Sequence, residues 1–190
     1  MTVLALDLAT QTGICHGPAD TGEVPTLDHF RLASTGDEVG RFLAEFEDRI
    51  RRLIDQIEPT LLVFEAPVLP RAKYNPIKKK VEGGVSIITT RKLQGLAGML
   101  EVIAHREGLE CAELQPSQVK QALTGKGNAK KPEMVRACRA YGFEPHTYIQ
   151  NGEEASDEAD AFGIWLCTLR LRHPTHAGRW DPMNFRSADQ

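Results

Sequence analysis

Asp7 interrupts the apolar run Val3 to Leu8, Glu65 ends the apolar run LLVFE, and Asp157 and Asp160 stand one helical turn apart in SDEADAF. An ionised carboxylate inside an apolar segment must recover its lost hydration from a partner or a cation. Carboxylates gathered without a cation oppose one another's ionisation, and a divalent ion relieves that conflict. All-oxygen donors select hard ions such as Mg²⁺, with Mn²⁺ able to substitute; such ions keep several waters and bind through a few carboxylates plus substrate phosphate. Two such ions about 4 Å apart activate an attacking water and stabilise a departing 3′ oxygen, so the chemistry expected is phosphodiester hydrolysis. A plainer reading stands beside this one. Asp7 as a strand-end residue can cap its own turn through Thr10 or Thr12, and Glu65 as an edge residue can reach solvent.

The elements that must position these acids follow from the pattern. Val3 to Leu8 reads as a buried strand broken by ATQTG; Ile14 to Gly17 begins a return strand, and Asp28 to Ser34 alternates as a third, giving an antiparallel meander. Val39, Phe42, Leu43, Phe46, Ile50, Leu53, Ile54 and Ile57 form one helical stripe that Pro59 stops. Thr60 to Phe64 reads as an interior strand parallel to the first. Side by side and parallel, the two strands bring Asp7 and Glu65 to one C-terminal edge, where α/β sheets place ligands.

From Ala66 to about Ile88, prolines and glycines among basic residues predict a long loop of the functional kind. Helical periodicity returns over Thr89 to Arg106 and ends at Gly108. Cys111 to Leu114 reads as a fifth strand, Pro116 to Leu123 as a brief helix, Glu133 to Tyr141 as another, and HTYIQNGEEAS as a polar loop. A last helix runs from about Ser156 to Leu171. On it Asp157 and Asp160 share a face with Ala161, Ile164 and Leu171, so the pair points at the body. Glu153, Glu154 and Glu158 read as solvated acids favoured by the helix dipole, and Phe162 and Trp165 as core. The expected fold is α/β, a mixed five-stranded sheet flanked by helices. One domain is expected over residues 1–172, followed by a C-terminal tail over residues 173–190, whose His173 and His176 read as incidental.

Composition excludes more than it assigns. Four cysteines, Cys15, Cys111, Cys138 and Cys167, lie without CxxC spacing and read as free thiols. The start MTVLALDL makes a poor signal peptide and no apolar run reaches membrane-spanning length, so a cytoplasmic chain without membrane association is expected. A net charge of −3 argues against holding DNA by bulk charge. The charge is unevenly spread, however. Arg71, Lys73, Lys78, Lys79, Lys80, Arg91 and Lys92 face Glu82 alone in their stretch, and Lys120, Lys126, Lys130, Lys131, Arg136 and Arg139 face Glu133 alone in theirs. They read either as a DNA-facing surface or as solvated lysines. Tyr74 among the lysines can serve as a base-stacking group or as an ordinary loop tyrosine.

On these residues the chain resembles the RuvC-type Holliday-junction resolvases of the ribonuclease H-like superfamily, over most of residues 1–172. Asp7 with Thr12-Gly13 matches the family's first catalytic strand, Glu65 its second acid, and Asp157-Glu158-Ala159-Asp160-Ala161 its terminal DxxDA motif. LDLATQTG is similar to phage-encoded members, for which the host-cell cytoplasm would be the location. The resemblance implies a ribonuclease H-like fold and metal ligation by all four acids. Gln118-Val119-Lys120-Gln121 and GKGNAKK are similar to the family's lysine-bearing segments, which puts Lys120 and Lys131 at its functional lysines, holding scissile phosphate, with Lys126 and Lys130 as weaker candidates. Leu8-Ala9 departs from the family's Pro-Gly, and Val68 stands near where bacterial members carry a junction-engaging aromatic. The resemblance also implies a homodimer cutting branched DNA, four-way junctions above all, with the helix from Thr89 to Arg106 as a candidate interface. Alternatives are a broader nuclease for forks, flaps or RNA–DNA hybrids, and a non-catalytic DNA-binding relative. An actin-like ATPase would need a second phosphate loop in a chain about twice as long.

Overall fold

The computed structural model describes residues 1–34, 36, 38–67, 73–75, 80–82 and 86–181, with the backbone alone for 73–75 and 80–82. Three strands, β1 (Thr2–Asp7), β2 (Gln11–Pro18) and β3 (Thr26–Arg31), form the expected antiparallel meander. Helix α1 (Val39–Ile57) follows, and its backbone leaves through Glu58 just before Pro59. Strand β4 (Leu61–Glu65) then lies parallel to β1.

Within the stretch expected as a loop, β5 (Lys73–Asn75) and β6 (Lys80–Glu82) pair as an antiparallel hairpin. Tyr74 and Val81 are opposite one another in it. The β-branched and aromatic residues there were outweighed in the sequence by the surrounding prolines and lysines. Helix α2 (Ile87–Glu107) starts at Ser86, whose hydroxyl accepts the Thr89 N–H. Strand β7 (Glu110–Leu114) joins parallel to β4, completing the order β3-β2-β1-β4-β7.

Helices α3 (Pro116–Thr124) and α4 (Lys131–Ala140) come next. The polar stretch after them, expected to be a loop, holds a second hairpin, β8 (Tyr148–Gln150) with β9 (Glu153–Ala155). Asn151 (φ 53°) and Gly152 (φ 81°) turn it. Two successive residues with positive φ are what a two-residue hairpin turn matched to the strand twist requires, and Asn-Gly is the pair that adopts them most readily. Helix α5 (Asp157–Arg172) leads to the short α6 (Pro174–Ala177) and a single 3-10 turn, Gly178–Trp180.

Strand alternation divides the core in two. Leu4, Leu6, Ile14, Leu62 and Phe64 pack on the α1 and α2 side with Phe42, Phe46, Ile50, Leu96 and Leu100. Val3, Ala5, Cys15, Leu61 and Val63 pack on the α3, α4 and α5 side with Val119, Met134, Phe162 and Trp165. Every residue of α5 from Asp157 to Leu169 is buried. It is therefore a central helix covered all round rather than an amphipathic one with a wet face. Leu171, expected on its inward face, lies beyond the covered length and is exposed.

Packing also continues past residue 172, where the tail was expected to begin. Trp180 is 2% exposed, with its ring centroid 5.0 Å from Trp165 and 6.5 Å from Phe143. Such aromatic contacts bury large apolar surface, so Trp180 packs into the core. The four cysteines are free, three of them buried. Among the described residues no helix is long and apolar enough to cross a membrane.

Candidate functional site

Alternation carries Val3 and Ala5 to the α5 side of the sheet, and Asp7 is next in that series; Leu61 and Val63 do the same for Glu65. The parallel register pairs Leu6 with Phe64, so the next step sets Asp7 and Glu65 side by side at the strand ends. The first turn of α5 meets them there. Its approach depends on Gly13, paired with Asp7 across the sheet: a Cβ at that position would lie 2.0 Å from the Asp157 carbonyl oxygen. Ser156 caps the helix by accepting the Ala159 N–H at 3.2 Å.

Asp7, Asp157 and Asp160 each offer a carboxylate oxygen such that these atoms all lie within 4.8 Å of one another. Glu65 stands outside that trio but close enough to feel its charge. Burial first and Asp160 second raise the Glu65 carboxyl to about 7, with Lys131 and Lys120 pulling the other way. Burial, joined by Asp160, holds the Asp7 carboxyl well above the usual carboxylate range. Asp160 is likewise raised by burial, against the opposing ammonium of Lys131. That ammonium, on the first residue of α4, donates to Asp160 Oδ2. Burial pulls Lys131 down, but Asp160 and Asp7 outweigh it and hold the lysine above its ordinary value.

Whether these residues suit a cation is answered by Asp157. Among the described residues its Oδ2 is buried without a hydrogen-bond partner, while its Oδ1 accepts from the Tyr148 hydroxyl at 2.6 Å. A buried carboxylate oxygen left unpaired is costly unless something positive meets it. Hard oxygen donors from three aspartates, with one oxygen unclaimed, fit a divalent ion of the Mg²⁺ kind. An open cleft of about 580 Å³ leads to the site, lined by Asp7, Gln11, Arg31, Lys131, Tyr148 and Asp157 among others.

Other expectations fall elsewhere. Lys120, on α3, lies near enough to lower Glu65 and Asp160. Lys126 pairs with Glu133 at 3.3 Å and Lys130 with Glu153 at 4.0 Å, both well exposed, so the structure ties these two to surface acids rather than to the cluster. Arg91 is exposed on α2, and Lys92 donates to the Gly36 carbonyl at 2.7 Å. Arg71, Lys78 and Lys79 lie outside the described residues, as do the side chains of Lys73, Tyr74 and Lys80.

Glu158 is not the solvated acid expected. It is 8% exposed, accepting from His29 Nδ1 at 2.6 Å and from the His146 N–H at 2.8 Å, with the His29 and His146 rings stacked at 4.5 Å. Three elements, β3, the segment before β8, and α5, are joined at that carboxylate. Tyr148 was missed as well, having been read as part of a loop. Its signal was Asn151-Gly152: a hairpin turned there puts Tyr148 and Gln150 on one face of β8, toward the cleft.

The family profile described as "Crossover junction endodeoxyribonuclease RuvC" matches residues 22–167, a span that takes in Glu65, Asp157 and Asp160 and starts after Asp7. The enzyme of that name from Anaeromyxobacter sp. strain K is 36% identical over 105 residues, covering 53% of this chain and 52% of the relative. Its counterpart from Anaeromyxobacter dehalogenans is 32% identical over 128 residues, covering 65% of this chain and 60% of the relative. The chain thus spans a little over half the length of these curated relatives. Thermus thermophilus RuvC has the same fold at a TM-score of 0.64, 20% identity, and coverage of 92% of this chain and 98% of that one. The same protein in complex with a Holliday junction substrate superposes at a TM-score of 0.63 with 20% identity, covering 92% and 97% of the two chains. With more than half of its residues matched by the family profile, and with the fold it shares with Thermus thermophilus RuvC, the chain belongs to the RuvC family of crossover junction endodeoxyribonucleases.

Proposed function

We propose that this chain is a Mg²⁺-dependent, structure-selective endonuclease that hydrolyses phosphodiester bonds in branched DNA, with the four-way junction as its principal substrate. The observation that carries the reading is the convergence of Asp7, Asp157 and Asp160 around an unclaimed carboxylate oxygen at the floor of an open cleft. Family membership and the junction bound by Thermus thermophilus RuvC support the choice of substrate.

Asp7, Asp157 and Asp160 would hold the ion, with Glu65 as a fourth donor at the edge of the group. Bound there, Mg²⁺ or Mn²⁺, singly or as a pair, would supply an activated water and charge neutralisation at the departing oxygen. Lys131 donates to Asp160 and offsets its charge. Once the acids are otherwise compensated, that ammonium is available to a phosphate oxygen, and Lys120 offers a second positive charge nearby. Arg31 lines the cleft and gives a planar, bidentate partner for the phosphate backbone. A two-fold junction calls for two such clefts, so the active form is read as a homodimer.

The test is a cleavage panel in Mg²⁺ comparing a four-way junction, a fork, linear duplex and an RNA–DNA hybrid. Preferential, paired incision of the junction is expected. Asp7→Asn should lose more activity than the roughly 10–100-fold that removal of a ligand's supporting partner costs, while still binding the junction. Robust cleavage by Asp7→Asn would overturn the metal site, and equal cutting of the hybrid or fork would favour a broader ribonuclease H-like nuclease.

A further inference from the structure

Tyr148 reaches Asp157 from outside the sheet and helices that the family reading uses. Its strand β8 pairs with β9 so that Tyr148 lies opposite Ala155. Ala155 is fully buried, and the chain passes from it through the capping residue Ser156 directly into Asp157. The strand that carries the tyrosine is therefore hydrogen-bonded to the strand that delivers the aspartate. The register and the helix start together bring the two side chains within hydrogen-bond reach.

The hairpin is itself anchored. Arg139 on α4 donates to both carboxylate oxygens of Glu154, at 2.8 and 3.2 Å, and α4 begins with Lys131. Just upstream, the His146 N–H is held by Glu158, the residue after Asp157. The hairpin is thus tied through β9 to α4 and through the segment before β8 to α5, two elements that also supply charged groups to the cluster. Along the strand Tyr148 and Gln150 line the cleft while Ile149 points away and is 72% exposed.

A carboxylate on a short side chain rotates readily about its last torsion unless one oxygen is fixed. We propose that Tyr148 is a positioning residue of the metal centre: its hydroxyl pins Asp157 Oδ1 and so leaves Oδ2 set for the cation before the cation arrives. This rests on the metal-site reading of the cluster. Partners that orient a ligand from behind typically change metal affinity or activity by about 10–100-fold when removed. Tyr148→Phe keeps the ring and its packing and removes only the donor.

The experiment is calorimetric titration of Mn²⁺ into the metal-free protein, comparing native, Tyr148→Phe and Asp157→Asn. Four-way-junction affinity in EDTA and unfolding temperature in EDTA are measured alongside. Tyr148→Phe is expected to bind Mn²⁺ about 10- to 100-fold more weakly, to hold the junction in EDTA as the native chain does, and to recover cleavage as Mn²⁺ is raised. Its unfolding temperature should stay within about 4 °C of native, the scale of one lost hydrogen bond in a chain of this size. Native-like Mn²⁺ affinity in Tyr148→Phe, with binding lost in Asp157→Asn, overturns the positioning role and leaves the metal site standing. A larger fall in unfolding temperature with loss of junction binding marks a merely structural tyrosine and also overturns it. If the native chain takes up no Mn²⁺, or Asp157→Asn binds it unchanged, the metal-site reading fails and the role of Tyr148 falls with it.

Discussion

Asp7, Asp160 and Glu65 share a direction: burial first, with Asp160 beside Asp7 and Glu65 and Asp157 beside Asp160, favours the protonated form. For Glu65 the carboxyl rises from an ordinary 4.5 to about 7. Between those values the folded chain holds a proton that the unfolded chain has released, so stability must fall as pH rises. The contribution is fully present below about 4.5 and gone above about 7. A bound divalent ion favours the ionised form, brings the folded-state value back down and so removes the loss over that interval. Thermal unfolding in EDTA should therefore show the native chain losing more stability between pH 5 and pH 8 than Glu65→Gln does. With saturating Mg²⁺ that loss should vanish over the same interval, and the native chain's Mn²⁺ affinity should climb as pH rises toward 7. An equal pH response of native and Glu65→Gln in EDTA would show that this carboxyl is not the raised group. The sequence disclosed these acids because a charge in an apolar run has few explanations; it did not disclose Tyr148, whose value depends on a partner 9 residues away in the chain.

Element by element, the site depends on how closely α5 can seat against β2. Gly13 is the residue that sets this distance, since a methyl group there would overlap the Asp157 backbone at 2.0 Å. That clash is with backbone on a helix buried all round, so it has no flexible side chain to absorb it. Gly13→Ala should lower stability by about 1–3 kcal/mol, the usual cost of overpacking a filled core. It should also shift the first turn of α5, so Mn²⁺ affinity falls with stability. Unchanged unfolding temperature and unchanged Mn²⁺ affinity would show that the helix does not rest on this glycine. The Thr12-Gly13 pair was legible as a motif, yet its physical reason was not, because the contact joins residues from opposite ends of the chain. The same distance in sequence hid Glu158, whose His29 partner lies on β3. Helix α1 shows the opposite case: its apolar stripe, its stop at Pro59 and its burial through Phe42, Phe46 and Ile50 all follow from local spacing. Strands β1 and β4 were equally plain, as short aliphatic runs. What escaped were the two hairpins, whose short strands are written in turn chemistry and pairing rather than in periodicity.

For the molecule as a whole, the proposed junction-cutting function, with one carboxylate cluster among the described residues, bears on assembly. Resolving a four-way junction takes two incisions placed by symmetry, and a two-fold dimer supplies both clefts in one bound complex. The surface we propose for that contact is the outward side of α2, where Arg91, Gly98 and Val102 follow one another on a single exposed stripe, with Val102 44% exposed. In an isologous interface a residue near the axis faces its own copy, so a charge introduced there meets a like charge. Val102→Glu should therefore sediment as a monomer under conditions in which the native chain sediments as a dimer. Its cleft is untouched, so Mn²⁺ affinity should be unchanged. On a cruciform plasmid the native dimer should yield linear product from paired cuts, whereas Val102→Glu should leave nicked circles, because each incision then needs a separate binding event. A dimeric Val102→Glu would move the interface away from this face of α2, and linear product from a monomeric variant would remove the need for a dimer altogether.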